Sequence, residues 1–493
     1  MITKLVLGPI LGLESDTRYT VTFVTNNAVS DVTLDYLDQR VAAVKIGEIA
    51  AGTVWRVPMA IPDAVGRQVT YTLKVGQSPV SDVRQQQRWQ FYVPAQDEKP
   101  KLAYASCNGF SDYKLLLSSA DPYHLWDRMA QQHTEAPFSL LLMGGDQVYA
   151  DSIWSTVPTL KAWNEGSRKK KMSYVPSQRM LAQIDRFYSD LYVDRWNKSP
   201  MAPLLASIPS LMMWDDHDII DGWGSFPDEM QQCEVYKAIF ASAKKHFSLL
   251  QLRGEDNRSR IGNTQPDSGH FSCYVKFRHF NILLLDNRSE RSISEIMSAA
   301  HWQDVIHCLN TQCTEGDLLL LSAVPVVYRD FSFAESALDA TPWEEELTDD
   351  LKDHWRAKEH EGERLKLIMR LLNNANHRLG KTIILSGDVH LGGLGIIRDQ
   401  RQTPANSIHQ VISSGIVHPA PTYIQWLGIL AVTNDDREYL DETRAVTANM
   451  IKPHGSDKYI RSRNFVTLLE GSDHKLWINW ISEGKDKPAY PLQ

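Results

Sequence analysis

Leu140-Leu-Leu-Met-Gly-Gly-Asp-Gln-Val-Tyr149 reads as a buried strand that stops at two glycines and carries a carboxylate and a phenol just past its end. Two further segments repeat the arrangement: Leu211-Met-Met-Trp-Asp-Asp-His-Asp218 and Ile383-Ile-Leu-Ser-Gly-Asp-Val-His390. In each, an apolar run precedes the polar residues. A parallel sheet places such strand ends along one edge, which is where α/β proteins build sites. Acidic and histidine clusters converging there point to a metal centre, with hydrolysis as its use.

Working outward, the chain from Lys101 alternates buried-looking strands with helical stretches. The strands are Leu102 to Cys107, Leu140 to Met143, Leu211 to Met213, Asn281 to Leu285, Leu318 to Val327 and Thr382 to Leu385. Helices are predicted over Asp121 to His133, Ser177 to Trp196, Gln231 to Leu250, Ser294 to Leu309 and Leu351 to Ala375. This alternation predicts a layered α/β domain over residues 98–493. Phe465 to Leu469 and Leu476 to Ile481 form a closing hairpin, with Gly471-Ser-Asp at its turn. Residues 1–97 differ in texture. Tyr19 to Thr25 and Val69 to Val75 alternate, and Trp89 to Val93 is a further strand. This predicts an all-β, immunoglobulin-like sandwich. The N-terminal Met1 to Glu14 reads as an edge strand, and Ala95 to Pro100 as a linker. Trp154 to Tyr174, with the basic run Arg168-Lys-Lys-Lys171, and the acidic Asp330 to Asp353 read as insertions.

The 493 residues are 43% hydrophobic and 23% charged, which suits a soluble globular chain of two or three domains. A formal net charge of -8 excludes a general nucleic-acid-coating surface, and an anionic substrate needs local positive charge or metal. Cys107, Cys233, Cys273, Cys308 and Cys313 are scattered and form no Cys-x-x-Cys pair, so a reducing compartment is expected. No apolar run approaches a membrane span. With no signal segment seen, a cytoplasmic location is expected.

Three of these patterns bear on chemistry. Gly144-Gly145 let the backbone turn sharply off its strand into Asp146, whose two oxygens can bridge two cations. Tyr149, three residues on, can reach the same ion. A free phenol ionises near pH ~10, so phenolate ligation calls for a strong Lewis acid such as ferric iron. The run Asp215-Asp216-His217-Asp218 packs three carboxylates around an imidazole, a costly arrangement unless a cation or proton offsets the repulsion. Asp388-Val-His390 adds two more donors at a strand exit.

Together with Ser106-Cys107-Asn108 and Leu285-Asp286-Asn-Arg288-Ser-Glu-Arg291, these segments resemble the PhoD-like (alkaline phosphatase D) branch of the calcineurin-like metallophosphoesterases. The resemblance covers nearly the whole chain. It implies a four-layer αββα sandwich behind the β-sandwich, and a phosphoric ester hydrolase acting through a two-metal-activated water. It implies that Cys107, Asp146, Tyr149 and His390 hold the first metal, Asp146 as the bridge. Asp216 and Asp388 serve the second site, each replacing the superfamily's usual residue. Sulfur, oxygen and nitrogen donors suit iron or zinc in the first site. A nearly all-oxygen second site favours calcium, magnesium or manganese. His217 becomes the group that stabilises or protonates the leaving oxygen, with Asp218 orienting it. Arg288 and Arg291 form a fork for the phosphate. No imidazole is evident for the superfamily's remaining second-site histidine, since Pro325-Val-Val-Tyr328 offers none. His418 reads as a loop histidine.

Two alternatives stay open at this level: a non-catalytic, metal-containing binding protein, and a hydrolase of a non-phosphate ester at the same centre. Monoester and diester substrates are both compatible with the motifs.

Overall fold

The computed structural model describes residues 4–62, 66–262, 269–330, 353–413, 415–484 and 486–492. The acidic insertion read at Asp330 to Asp353 lies outside the described residues except at its two ends.

Two large sheets face each other. In the first, Leu102–Ala105, Leu140–Gly144 and Ser210–Met213 run parallel and in register, with Leu102 opposite Leu140 and Leu142 opposite Leu211. In the second, Phe280–Leu284, Asp317–Leu321, Thr382–Ser386 and Asn406–Ile412 run parallel. These strands are apolar on both faces because both faces are covered. Leu102, Tyr104, Leu140 and Leu142 point toward Leu319, Leu321, Ile383 and Leu385 of the other sheet in one shared core. Their neighbours Ala103, Ala105, Leu141 and Met143 pack under Leu125, Trp126 and Met129 of the helix His124–Glu135. On the far side, Leu318 and Leu320 meet Trp302 and Val305 of Ala299–Thr311 and Leu367 and Leu371 of Glu361–His377. The period-two alternation thus builds four layers, helix, sheet, sheet and helix.

The N-terminal strands do not stand apart. Leu7–Ser15 runs parallel to Ser210–Met213, with Gly12 opposite Ser210, and then pairs with Arg18–Thr25. Gly52–Ala60 and Val44–Ile49 extend the same sheet. Val32–Tyr36, Gln39–Ala42, Arg67–Val75 and Trp89–Val93 form a separate sheet over it. One expectation is corrected here. The first strand is interior, not an edge, as its largely buried run Leu7 to Leu13 reflects. The large sheet also joins strands from both sides of residue 97.

Helix Gln178–Trp196 starts where Ser177 caps the Met180 N–H. The helix read over Leu351 to Ala375 begins only at Glu361 among the described residues, and residues 353–360 are turns. The hairpin Asn464–Glu470 and Leu476–Ser482 forms as read and pairs with Leu102–Ala105. The stretch Trp154 to Tyr174 folds into short helices, the last being the exposed, basic Arg168–Met172. Among the described residues, no helix is long and apolar enough to cross a membrane.

Candidate metal centre

Each parallel strand hands its chain into a loop at its C-terminal end, and the loops meet. Cys107 follows Leu102–Ala105, Asp146 follows Leu140–Gly144, Asp215 and Asp216 follow Ser210–Met213, and Asp388 and His390 follow Thr382–Ser386. Cys107, Asp146, Asp388 and His390 all adopt left-handed backbone, at φ +49°, +56°, +65° and +52°. Such strain in non-glycine residues persists only where surrounding structure enforces it, and it gathers at functional sites. Gly145, at φ +118°, is required: a Cβ there would lie 2.9 Å from that of Asp215.

Donor atoms of Cys107, Asp146 and His390 lie within 4.8 Å of one another, as do those of Asp215, Asp216 and Asp388. Asp146 also groups with Asp216 and His217, so it stands at the junction. Tyr149 joins the first cluster, its hydroxyl donating to Asp146 Oδ2 at 3.3 Å and lying 3.5 Å from His390 Nε2. Thus the sequence-read Cys107, Asp146, Tyr149, Asp216, Asp388 and His390 are brought together, with Asp215 added.

His217 groups with Asp146 and Asp216, and its ring is held by residues outside the motif. Its Nδ1 donates to Asp151 at 2.9 Å, its Nε2 lies 3.8 Å from Asp221, and its ring stacks on Tyr149. Asp218 does not orient it. The Asp218 carboxylate accepts from the backbone N–H groups of Gln147, Val148 and Asp215 and from the Gln251 amide, so it anchors the Asp146 loop. The fork is corrected as well. Arg288 is fully buried and spends its donors on Asp215, Asp353 and the Trp223 carbonyl. Arg291, also buried, ties to Asp353 through its Nε at 3.2 Å. Neither guanidinium faces open space for a phosphate, because Asp353 already occupies the fork.

His418 is no mere loop residue. It stacks on His390 at 3.6 Å between ring centroids and 15° between planes. Its Nδ1 donates to the Pro419 carbonyl at 2.9 Å, which leaves Nε2 to accept from Ser111 at 3.2 Å. Asp151, Asp221, Asp353 and His354 were not read as site residues, and His418 was read only as a loop histidine, because none stands at a strand end in a motif. A carboxylate shortly after Tyr149 was the one available signal, for Asp151.

Burial pushes the Asp146, Asp388, Cys107 and Tyr149 groups well above their ordinary ranges, and neighbouring carboxylates add to it. Asp215 is pushed up to about 6 by burial, against the pull of Arg288. Burial acts to lower His217, but Asp151, Asp216 and Asp221 outweigh it and raise it above the ordinary imidazole range. Asp146 Oδ1, Asp215 Oδ2 and Asp216 Oδ1 are buried without a hydrogen-bond donor among the described residues. Orphaned oxygens facing one volume are costly unless a cation occupies it. Bound dications would also reverse these shifts, since they favour thiolate, phenolate and carboxylate. The donor set therefore fits a binuclear metal centre.

A family model described as PhoD related phosphatase matches residues 80–344 and 340–442. An uncharacterized Saccharomyces cerevisiae protein, YGR266W, is 29% identical over 368 residues, covering 63% of this chain and 52% of that one. The chain thus spans about half the length of this curated relative. The solved structure of PhoD superposes at a TM-score of 0.59 and 13% identity, over 99% of this chain and 91% of that one, a likeness of fold. A dimetal phosphatase from Danio rerio aligns at 9% identity over 80% of this chain and 99% of that one, at a TM-score of 0.31 that carries no weight here. With the family match spanning most of the chain and the strand-end cluster in its order, the chain belongs to the PhoD-related phosphatase family.

Proposed function

We propose that the chain is a metal-dependent phosphoric ester hydrolase, a phosphodiesterase or phosphatase, acting through a binuclear centre bridged by Asp146. The observation that carries this is the pair of donor clusters meeting at Asp146. Cys107, His390 and Tyr149 suit iron, with zinc as the alternative, and the carboxylates of Asp215, Asp216 and Asp388 would hold the second cation. Bound there, two cations supply Lewis acidity that lowers the pKa of a water and polarises a phosphoryl oxygen.

The chain's own residues do the rest. Asp151 accepts a hydrogen bond from His217 Nδ1–H and orients the ring, so that when the ring is protonated its Nε2–H is the donor for the leaving oxygen. Stacking on Tyr149 limits the ring's rotation. His418, packed flat on His390, holds that ligand's plane. Asp218 keeps the Asp146 loop closed against Asp215. The separate sheet of Val32–Tyr36, Gln39–Ala42, Arg67–Val75 and Trp89–Val93, packed over the N-terminal strands of the large sheet, is the feature that favours reading the N-terminal part as an immunoglobulin-like sandwich. Five free, buried cysteines support a reducing, cytoplasmic setting.

Hydrolysis of an activated aryl phosphodiester by wild type and Asp146→Asn tests the reading. Loss of turnover in a folded D146N protein is expected, and undiminished turnover would sink the bridge. No hydrolysis by metal-replete wild type across phosphomonoesters, phosphodiesters and carboxylesters would instead favour a binding protein.

A further inference from the structure

The donor edge of the His217 ring has a charged neighbour of its own. Asp221 Oδ1 lies 3.8 Å from Nε2, while Asp151 holds Nδ1 at 2.9 Å on the opposite edge. The three side chains differ in exposure. Asp151 is 14% exposed and His217 10%, but Asp221 is 47% exposed. Asp221 is therefore the outermost charge of the group, and an anion approaching Nε2 meets it first. Its place is fixed by backbone. The Asp221 N–H donates to Asp151 Oδ1 at 3.1 Å, and the Gly222 N–H to Asp216 Oδ2 at 2.9 Å. The two arginines nearest the centre do not offset it, because Arg288 and Arg291 are fully buried and paired with Asp353. Desolvation pushes the Asp221 carboxyl up to about 6 against the pull of His217, with Asp216, Asp151 and Asp353 adding to it, so the group is charged above that pH.

We propose that Asp221 sorts substrates by charge, admitting monoanionic phosphoryl groups to the donor edge of His217 and disfavouring the dianionic phosphate of a monoester. This rests on the phosphoric ester hydrolase reading above. A phosphodiester carries one negative charge. A monoester, with a second pKa near ~6, carries almost two at pH 8. The group that Nε2–H serves places phosphorus about one hydrogen bond and one P–O bond beyond that nitrogen, roughly 6–8 Å from the Asp221 carboxylate. At an effective dielectric constant of about 40, the repulsion on one extra charge at that range corresponds to roughly five- to tenfold in an equilibrium constant. Sorting of this kind ignores size, so a small monoanion is treated like a diester. A carboxylate that only steadied the His217 ring would instead act equally on all substrates with one leaving group.

Three substrates with the same nitrophenolate leaving group separate charge from size: 4-nitrophenyl phosphate, a dianion; 4-nitrophenyl methylphosphonate, a small monoanion; and methyl 4-nitrophenyl phosphate, a diester. The metal-replete full chain is assayed on each at pH 8 as wild type, Asp221→Asn and Asp221→Lys. The ratio of kcat/KM for the monoester to that for the diester should rise about five- to tenfold in D221N and further in D221K, and the rise should shrink in high salt. The methylphosphonate-to-diester ratio should stay within about twofold. Inhibition of diester hydrolysis by inorganic phosphate, itself a dianion, should tighten in both variants by a similar factor. A general loss through a disturbed His217 cancels in these ratios. An unmoved monoester ratio, or an equal rise for the methylphosphonate, would overturn the proposal. Failure of metal-replete wild type to turn over any of the three would overturn the hydrolase reading itself, and this proposal with it.

Discussion

Asp218→Asn separates a structural carboxylate from a chemical one. In the native protein the two Asp218 oxygens accept from three backbone N–H groups, those of Gln147, Val148 and Asp215, and from the Gln251 amide. Burial pushes this carboxyl up to about 7, yet donors aimed at both oxygens leave no acceptor for a carboxyl proton. Asparagine is nearly isosteric but keeps one acceptor and turns an NH2 group toward the other donors. With its oxygen at the Oδ1 position the amide keeps Gln147, Val148 and Gln251 but loses the bond from Asp215, and a hydrogen bond to a charged group contributes about 1.5–3 kcal/mol. The expected destabilisation is about 1.5–3 kcal/mol, against the roughly 5–15 kcal/mol that holds a typical domain. Urea unfolding followed by tryptophan fluorescence reads it directly. Metal content should fall in parallel, because the loop carrying Asp146 loses its anchor. If D218N unfolds at the wild-type midpoint, binds metal normally and loses only turnover, then Asp218 serves the chemistry and the anchoring argument fails.

Three further outcomes follow from the same geometry. His217→Asn should lower turnover of poor leaving groups about 10²–10⁴-fold, with a smaller loss for nitrophenolate, while both metals stay bound; an equal loss for all leaving groups would count against proton donation. Tyr149→Phe should abolish the visible charge-transfer band of the iron-loaded protein, and an unchanged spectrum would remove the phenol from the first site. The stabilisation contributed by His246 and His409 should fall with acid below about pH 6.5, in the opposite sense to the raised Asp215 and Asp218 carboxyls. Burial holds these two histidines down to about 4, whereas the unfolded side chains titrate near ~6.5. At these positions the unfolded chain binds more protons in that window, and their stabilisation, complete above ~6.5, is lost as pH falls toward 4. Urea midpoints of wild type and a His246→Gln variant at pH 7.5, 6 and 5 isolate it, and an identical acid slope in the variant would exclude that residue.

What was legible in the chain followed from local pattern. Apolar runs ending in Gly-Asp, Asp-Asp-His-Asp or Gly-Asp-x-His mark strands covered on both faces, with polar residues at their exits. Those positions converge in the fold. Long-range pairing is not written in periodicity. Gly12 meets Ser210 across most of the first two hundred residues, so nothing near Leu7–Ser15 showed that it would be an interior strand. The polar scaffold was hidden for a related reason. Arg288 finds Asp353, and His217 finds Asp151, through turns distant in sequence. A helical pattern over Leu351 to Ala375 is overridden at its start because two buried arginines capture Asp353 and draw the chain out of helix. His418 carries no motif at all; its role comes from lying flat on His390.

The central claim is that one chain holds two metals at Asp146 and needs them to hydrolyse a phosphate ester. Elemental analysis of the full chain beside its phosphodiesterase activity, before chelation, after it and after metal is returned, tests that claim most directly. Two metals per chain, activity abolished by chelation and restored by metal, and less than one metal in D146N are expected. Full hydrolysis by a metal-free chain would contradict the claim, as would a wild-type chain holding less than one metal under metal-replete conditions.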